Sequence, residues 1–594
     1  LIDELKRRNV FKAGAAYLAL GWVVTQVTST VAPLLHMPEW IGPVVVWIGV
    51  IGFPFVIMFS WIYELTPEGL KREREVDRSA SITHVTSRRL DHIIIALLVL
   101  AIGLFAFDRF SPRKAEPAAA AREAPAAPAA AAPPATAAAG DNSIAVLPFV
   151  DMSQSKDQEY FSDGLSEELL NLLAQLPQLR VIARTSSFAF KGKEVGVTEI
   201  AKSLNVANVL EGSVRKSGDT LRITAQLIRT ADSSHLWSET YDRQLTDVFK
   251  VQDEIAGAVV AQLKVKLLPA QQVTNPHRTA NTEAYNQYLL GNQLYNRTTP
   301  EGYRLAVTAY RKAVALDPGY AAAYAALASA EMYASDYAQS AADNAAGRRH
   351  AQAAADKSIA LAPDFADGYA ARGLLRSGFS LDWSGGQADF EKALALEPGN
   401  APTQRRYANL LLNLGRVDES IVATRNAIEL DPLSAEAWTN LGSAYSIDPS
   451  RYRQAREALD RALAINPESD FAKINLVLLE LLNGHGQEAL NVARTAGEVW
   501  SQVGIALAEH TLGHAKESQG ALDALIAKYA HDSAYQIAEI YAWRGEPDKA
   551  FEWLERAYEQ HDGGLGTIKV DPLLKPLWTD ARFAAMVKKL GLPP

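Results

Sequence analysis

The sequence predicts a multi-domain protein: three transmembrane helices, then a small α/β domain with a mixed sheet, then an all-α solenoid of paired helices. Three observations carry this reading. Two charge-free runs of about 22 residues lie near the start of the chain. Apolar and polar residues alternate through 210–227. Helix-ending prolines recur at a fixed spacing between Pro363 and Pro467.

The membrane segments are expected at about 13–35, 41–63 and 91–108, within an anchor of residues 1–110. At 1.5 Å per residue, each of the first two reaches across a hydrocarbon core of about 30 Å. The third is shorter and would need its ends to snorkel or the bilayer to thin. A cleaved signal peptide has a shorter apolar region than these. Lys6, Arg7, Arg8 and Lys12 precede the first run, the next loop has no Lys or Arg, and Lys71, Arg72, Arg74, Arg78, Arg88 and Arg89 fill the loop after it. The positive-inside rule then sets the N-terminus in the cytoplasm and everything after Phe107 on the far side, the periplasm of a bacterium. The expected location is therefore the bacterial inner membrane.

Residues 111–141 are a linker, since Ala115–Gly140 is almost wholly Ala and Pro. Such a run cannot build a core and, extended, would span roughly 80 Å.

Ordered sequence resumes at Ser143. Ile144–Phe149 reads as a short buried strand. Asp163 reads as the cap of a helix with Leu165, Leu169, Leu173 and Leu176 on one face. Leu179–Ala183 is a second strand and Thr198–Leu204 a short helix. Leu210, Gly212 and Val214 alternate with polar residues, Ser217-Gly218-Asp219 turns the chain, and Leu221, Ile223, Ala225 and Leu227 alternate again. His235–Tyr241 gives one more strand, and Val248, Val251, Ile255, Val259 and Leu263 share a helix face. The order β-α-β-α-β-β-β-α makes a small α/β domain over 142–268.

The stretches IAVLPF at 144–149, YFSDGLSEELL at 160–170, VIARTSSFAFKGK at 181–193, VLEGSVRKSGDTLRITAQLI at 209–228 and HLWSETYDR at 235–243 resemble the TolB amino-terminal-like domain. That resemblance implies protein–protein assembly in the bacterial envelope, with self-association into a homo-oligomer. Some proteins of this kind carry a cyclase or winged-helix domain on the cytoplasmic side, whereas the cytoplasmic parts expected here are only about 12 and 28 residues long.

From 280 to 594 the sequence repeats. Helical segments end at Pro318, Pro363, Pro398, Pro432 and Pro467, and the last three intervals are 35, 34 and 35 residues. This is the tetratricopeptide period. Trp438, Leu441, Gly442 and Tyr445, then Ala455, Leu459, Ala462 and Pro467, fill one unit's signature. Ile537, Ala538, Tyr541, Gly545, Ala550, Leu554 and Ala557 hold the same offsets in a later one. About eight units are expected, closed by a helix over Asp580–Leu590 that covers the last apolar face.

Resemblance to tetratricopeptide arrays implies that the first helix of each unit lines a concave groove. The candidate partner-binding residues are Arg405, Asn409, Asn413, Tyr535 and Trp543, with Glu436, Thr439, Ser443, Ile474, Leu478 and Trp500 at equivalent offsets. Arg405 and Asn409 resemble part of a clamp for a peptide carboxylate, although Thr439 and Ser443 stand where a full clamp has an amide and a base. Arg405 paired with a neighbouring surface carboxylate is the alternative.

The composition excludes several classes. The net charge of −9 leaves no basic footprint for nucleic acid. The absence of cysteine excludes disulfides and thiolate metal sites. No phosphate-binding loop, nucleophile elbow or zinc-protease motif occurs. His510 and His514 are four apart, but Gly513 at the turn between two helices takes His514 off the first. The chain is therefore expected not to be an enzyme, with no catalytic residue, cofactor or metal. It is expected to act as a membrane-embedded scaffold for protein or peptide partners of the envelope. The alternative is a transmembrane sensor that relays a periplasmic signal to a cytoplasmic partner.

Overall fold

The computed structural model describes residues 142–153, 159–217, 220–244, 247–265, 277–338 and 340–593, with short pieces at 17, 21, 24, 52–53, 63–66 and 69–72. The chain falls into two compact units, 1–133 and 134–594.

The first unit corrects the expected fold class. Among the described residues no helix is long and apolar enough to cross a membrane. Most of the runs 13–35 and 41–63, and all of 91–108, lie outside the described residues. At the end of the second run, Tyr63–Thr66 (β1) pairs antiparallel with Gly69–Arg72 (β2), Tyr63 opposite Arg72. Freedom from charge is a necessary property of a span. It does not dictate that one helix runs unbroken through the segment, and at Tyr63 the backbone is already extended. The fold class is a small mixed sheet followed by a helical solenoid.

In the second unit the sheet is built from Ser143–Val146 (β3), Val150–Asp151 (β4), Arg180–Val181 (β5), Asn208–Ser217 (β6), Thr220–Arg229 (β7) and Ser234–Gln244 (β8). The order is β5-β3-β6-β7-β8, with β4 also pairing β6. β3 runs parallel to β5 and β6, and β6, β7 and β8 are antiparallel. Strand alternation decides which residues go inside. Leu221, Ile223, Ala225 and Leu227 of β7 are all fully buried. In β3, Ile144 and Val146 face one core while Ala145 packs into another on the opposite face.

Glu159–Ala174 (α1) and Val248–Gln262 (α4) bury their apolar stripes in the first core. Arg184–Phe188 (α2) follows β5, and Val197–Leu204 (α3) covers the other face through Ile200, Ala201 and Leu204. Asp163 does not cap α1: the helix starts at Glu159, so Asp163 lies one turn inside it and is paired with Lys191 at 2.5 Å. Gly212 is required where it stands, because a Cβ there would lie 2.3 Å from the Thr224 carbonyl oxygen and 2.5 Å from the Phe149 ring.

The solenoid has eight helix pairs among the described residues: Thr282–Tyr295 (α5) with Pro300–Leu316 (α6), Ala321–Ser335 (α7) with Ala341–Leu361 (α8), Ala366–Gly378 (α9) with Trp383–Leu396 (α10), Ala401–Asn413 (α11) with Val417–Leu430 (α12), Ala435–Ser446 (α13) with Tyr452–Ile465 (α14), Asp470–Leu482 (α15) with Gly486–Ala493 (α16), Glu498–Thr511 (α17) with Ala515–Tyr529 (α18), and Ala534–Trp543 (α19) with Pro547–Gln560 (α20). Pro318, Pro363, Pro398, Pro432 and Pro467 each follow a C-cap residue, where a proline stops the helix at least cost. The turns inside four pairs use Gly415, Gly484, Gly513 and Gly545 at φ between 73° and 81°, a region that Cβ-bearing residues avoid. Gly442 lets α13 approach α14, since a Cβ would stand 2.6 Å from Leu459 Cγ. After α20 the chain makes two 3-10 turns, Gly563–Thr567 and Pro572–Leu577, and a last helix, Ala581–Lys589 (α21).

Candidate functional site: the groove of the repeats

The first helices of the pairs line two cavities, one bordered by α5, α7, α9 and α11 and the other by α11, α13, α15, α17 and α19. The two are covered by different parts of the chain.

The α/β domain covers the N-terminal half. α1 faces α5, where a Cβ on Gly164 would stand 2.6 Å from Leu289 Cδ2. A cavity of about 270 Å³ between them is lined by Glu167 and Asn171 of α1, Asn292 and Tyr295 of α5, Asp367 of α9 and Arg406 of α11. A second anchor lies at the end of α12. The Ala183 N–H donates to the Leu430 carbonyl at 2.8 Å, and the Ser186 N–H to Asp431 Oδ1 at 3.0 Å. The Ser186 hydroxyl also donates to Asp431, and it accepts from the Leu433 N–H at 2.8 Å. Burial pushes the Asp431 carboxyl up, and these Ser186 donors pull it back toward the ionised form.

Acids collect in this interface. Glu167 is raised by burial and held by Arg184 at 3.0 Å. Glu168 is pushed up to about 7 by burial, and then by Glu167 beside it. Glu397 is pushed up to about 8 by burial and by the Asp367 carboxylate. The Asn400 amide bridges those last two, at 3.2 Å from Glu397 and 3.4 Å from Asp367.

The C-terminal segment after α20 covers the other half. Tyr535 is 1% exposed, and its hydroxyl donates to Asp571 Oδ2 at 2.8 Å. Its N–H donates to Asp562 Oδ2 at 3.0 Å. A Cβ on Gly566 would lie 2.9 Å from Asn413 Nδ2. Val570 enters the core formed by Leu412, Leu441 and Leu476. The Trp383 indole N–H donates to the Leu590 carbonyl at 2.8 Å, which ties the last helix back to the third pair. Ile568, Leu573 and Leu574 are fully buried.

The predicted contact residues are therefore engaged within the chain. Arg405 reaches Glu436 of the next pair at 2.8 Å. Asn409 accepts from the Asn440 amide at 2.8 Å. Trp543 is half-buried, with its indole N–H on Thr511 Oγ1 at 3.0 Å. Asn413 and Tyr535 meet the C-terminal segment, and Ile474, Leu478 and Trp500 line a cavity of about 340 Å³ beside it. His514 leaves α17 after Gly513, and its Nδ1 lies 2.7 Å from Glu509. His485 repeats this against Glu480 at 2.6 Å.

Sequence reasoning missed what covers the groove. Ser186 and Asp431 stand 245 positions apart, and Trp383 and Leu590 stand 207 apart. Neither pair carries a periodic signal.

Comparison with known proteins adds the following. Residues 435–469 match the tetratricopeptide repeat family. Residues 140–258 match the second domain of HilA/YgeH-like transcriptional regulators. A Rhizobium meliloti (strain 1021) protein named putative adenylate cyclase 3 is 40% identical over 186 residues, 31% of this chain and 32% of that protein. The mouse protein O-mannosyl-transferase TMTC1 is 34% identical over 102 residues, 16% of this chain and 11% of that protein. The chain thus spans about a third of the length of the first relative and about a tenth of the second. Among solved structures, Pseudomonas aeruginosa PilF aligns at 18% identity with a TM-score of 0.30, over 38% of this chain and 98% of that one.

These relatives correct the expectation of a chain that is not an enzyme, because two of them carry the names of enzymes. That expectation rested on missing motifs, and a motif search sees only the chemistry whose spacing is already known. The unit built from α13 and α14 is the one matched as a repeat, and seven further pairs stack with it. The chain therefore carries a tetratricopeptide repeat at 435–469, set within a stack of eight helix pairs among the described residues.

Proposed function

We propose that this scaffold works at the periplasmic face of the bacterial inner membrane and binds protein or peptide partners along its groove, at Arg405, Asn409, Asn413, Tyr535 and Trp543. The observation that carries the reading is the cavity of about 340 Å³ between α11, α13, α15, α17 and α19, whose wall holds Tyr535, while Arg405, Asn409, Asn413 and Trp543 lie outside that wall. An apolar recess of this size on a repeat surface is the usual place for a partner's side chain. The location is drawn from the resemblance of 142–268 to the TolB amino-terminal-like domain, although residues 140–258 match the second domain of HilA/YgeH-like transcriptional regulators.

Affinity capture with the full chain and with Arg405→Ala and Trp543→Ala tests the binding surface. The expected result is a defined set of envelope proteins that both variants lose. Unchanged capture by both would move the binding surface elsewhere. Alkaline phosphatase fused after Gly140 tests the location, and an inactive fusion would contradict it.

The 40% match to a protein named as a cyclase favours a second reading, in which this region regulates a cyclase activity. Cyclic nucleotide synthesis that changes when the full chain is added to a purified cyclase would support it.

A further inference from the structure

The cavity on the C-terminal half of the groove has an uncommon wall. Its sides are apolar and aromatic, with Ile474, Leu478, Trp500 and Tyr535 among them. Phe471 stands at its edge and is 53% exposed. Among the described residues that line it there is no Lys, Arg or His, while two acids do line it, Glu539 from α19 and Asp571 from the C-terminal segment. Asp571 is held in place by the Tyr535 hydroxyl at 2.8 Å and the Leu573 N–H at 2.8 Å. The Glu539 carboxyl is hydrogen-bonded to Asp571, and burial and the Asp571 charge raise it well above its ordinary value, so the pair holds one shared proton and one negative charge. That charge among aromatic rings, with no base in the wall, is complementary to a cation on an aliphatic stem.

We propose that this cavity takes a lysine or arginine side chain from a partner protein, its stem along Ile474, Leu478 and Trp500 and its charged head at Glu539 and Asp571. The proposal rests on the scaffold reading and names the class of partner. A carboxylate in a recess of low dielectric strengthens the contact with a cation and rejects an acid. The partner segment is therefore basic, with aliphatic or aromatic neighbours that pack against Phe471.

The test is selection of displayed random heptapeptides on the full chain, followed by calorimetry with the selected peptides. The expected peptides carry Lys or Arg next to an aliphatic residue. Replacing that Lys by norleucine should weaken binding at least tenfold. Phe471→Ala, at an exposed position, should weaken binding while circular dichroism stays unchanged. Selected peptides without a basic residue, or equal affinity for the norleucine peptide, would overturn this inference and leave the scaffold reading standing. Selected peptides that copy a segment of this chain would point to self-association instead. No selected peptide at all would overturn both.

Discussion

Tyr535→Phe isolates the contact that seats the C-terminal segment. The ring is kept, so no cavity is created, and only the hydroxyl that donates to Asp571 is lost. Both residues are buried, at 1% and 6% exposure, so water does not replace the donor. A buried hydrogen bond to a carboxyl group contributes about 1.5–3 kcal/mol. Asp571 also holds the start of the second 3-10 turn through the Leu573 and Leu574 N–H groups. The loss should therefore appear as local opening of that turn rather than as global unfolding. Native-state hydrogen exchange at Leu573 and Leu574 is the assay, since several packed units make a single unfolding free energy ill-defined. An opening made easier by that amount speeds exchange about 10- to 150-fold. Trp383→Phe removes a neutral bond to the Leu590 carbonyl and should cost about 0.5–1.5 kcal/mol at α21. Unchanged protection at both places would refute the reasoning that these bonds hold the segment in the groove.

Ser186→Ala removes the hydroxyl donor from the buried Asp431 carboxylate while the backbone N–H donor stays, and it should weaken docking of the α/β domain by about 1.5–3 kcal/mol, read as faster exchange at Ala183 and Leu433. Gly442→Ala forces a methyl into Leu459 and should cost about 1–3 kcal/mol, read as faster exchange across α13 and α14, with Gly442→Leu worse. The interface acids Glu168 and Glu397 sit at about 7 and about 8 in the folded chain, above their ordinary 4.5. Their contribution to stability is present near pH 4.5 and is lost as the pH rises through 7 and 8, so exchange across the α1–α5 contact should quicken over that range. Glu168→Gln should flatten the profile. Arg405→Ala breaks a pair whose Glu436 partner is exposed and should change stability by less than about 1 kcal/mol.

The repeats were legible because their signature residues are structural. At the offset of Gly442 the small residues Gly373 and Ala408 recur, and Gly373 and Gly442 both stand where the first helix of a pair comes close to the second. The alternation in 221–227 was legible for the same reason, since one face of β7 is wholly buried. The contact of Arg405 with Glu436 is a link between adjacent pairs, the alternative that the sequence left open. The C-terminal segment was not legible beyond its last helix. Gly563–Thr567 and Pro572–Leu577 are 3-10 turns with no strand or helix period of their own, and their partners stand far away in sequence. Asp163 was misplaced because an acid ahead of an apolar stripe looks like a cap, whereas α1 begins at Glu159 and Asp163 lies one turn inside it, paired with Lys191.

The central claim is that the C-terminal segment lies in the groove of the repeats. Because the chain has no cysteine, the double variant Asn413→Cys with Gly566→Cys gives a clean test. A Cβ at 566 would stand 3.4 Å from Asn413 Cγ, the place a sulfur takes in Asn413→Cys, which is close enough for a disulfide to form. Mild oxidation of the dilute protein should give nearly complete intramolecular linkage, read as a faster-migrating band on a non-reducing gel and lost on reduction. Free thiols after oxidation, or links only between molecules, would contradict the placement.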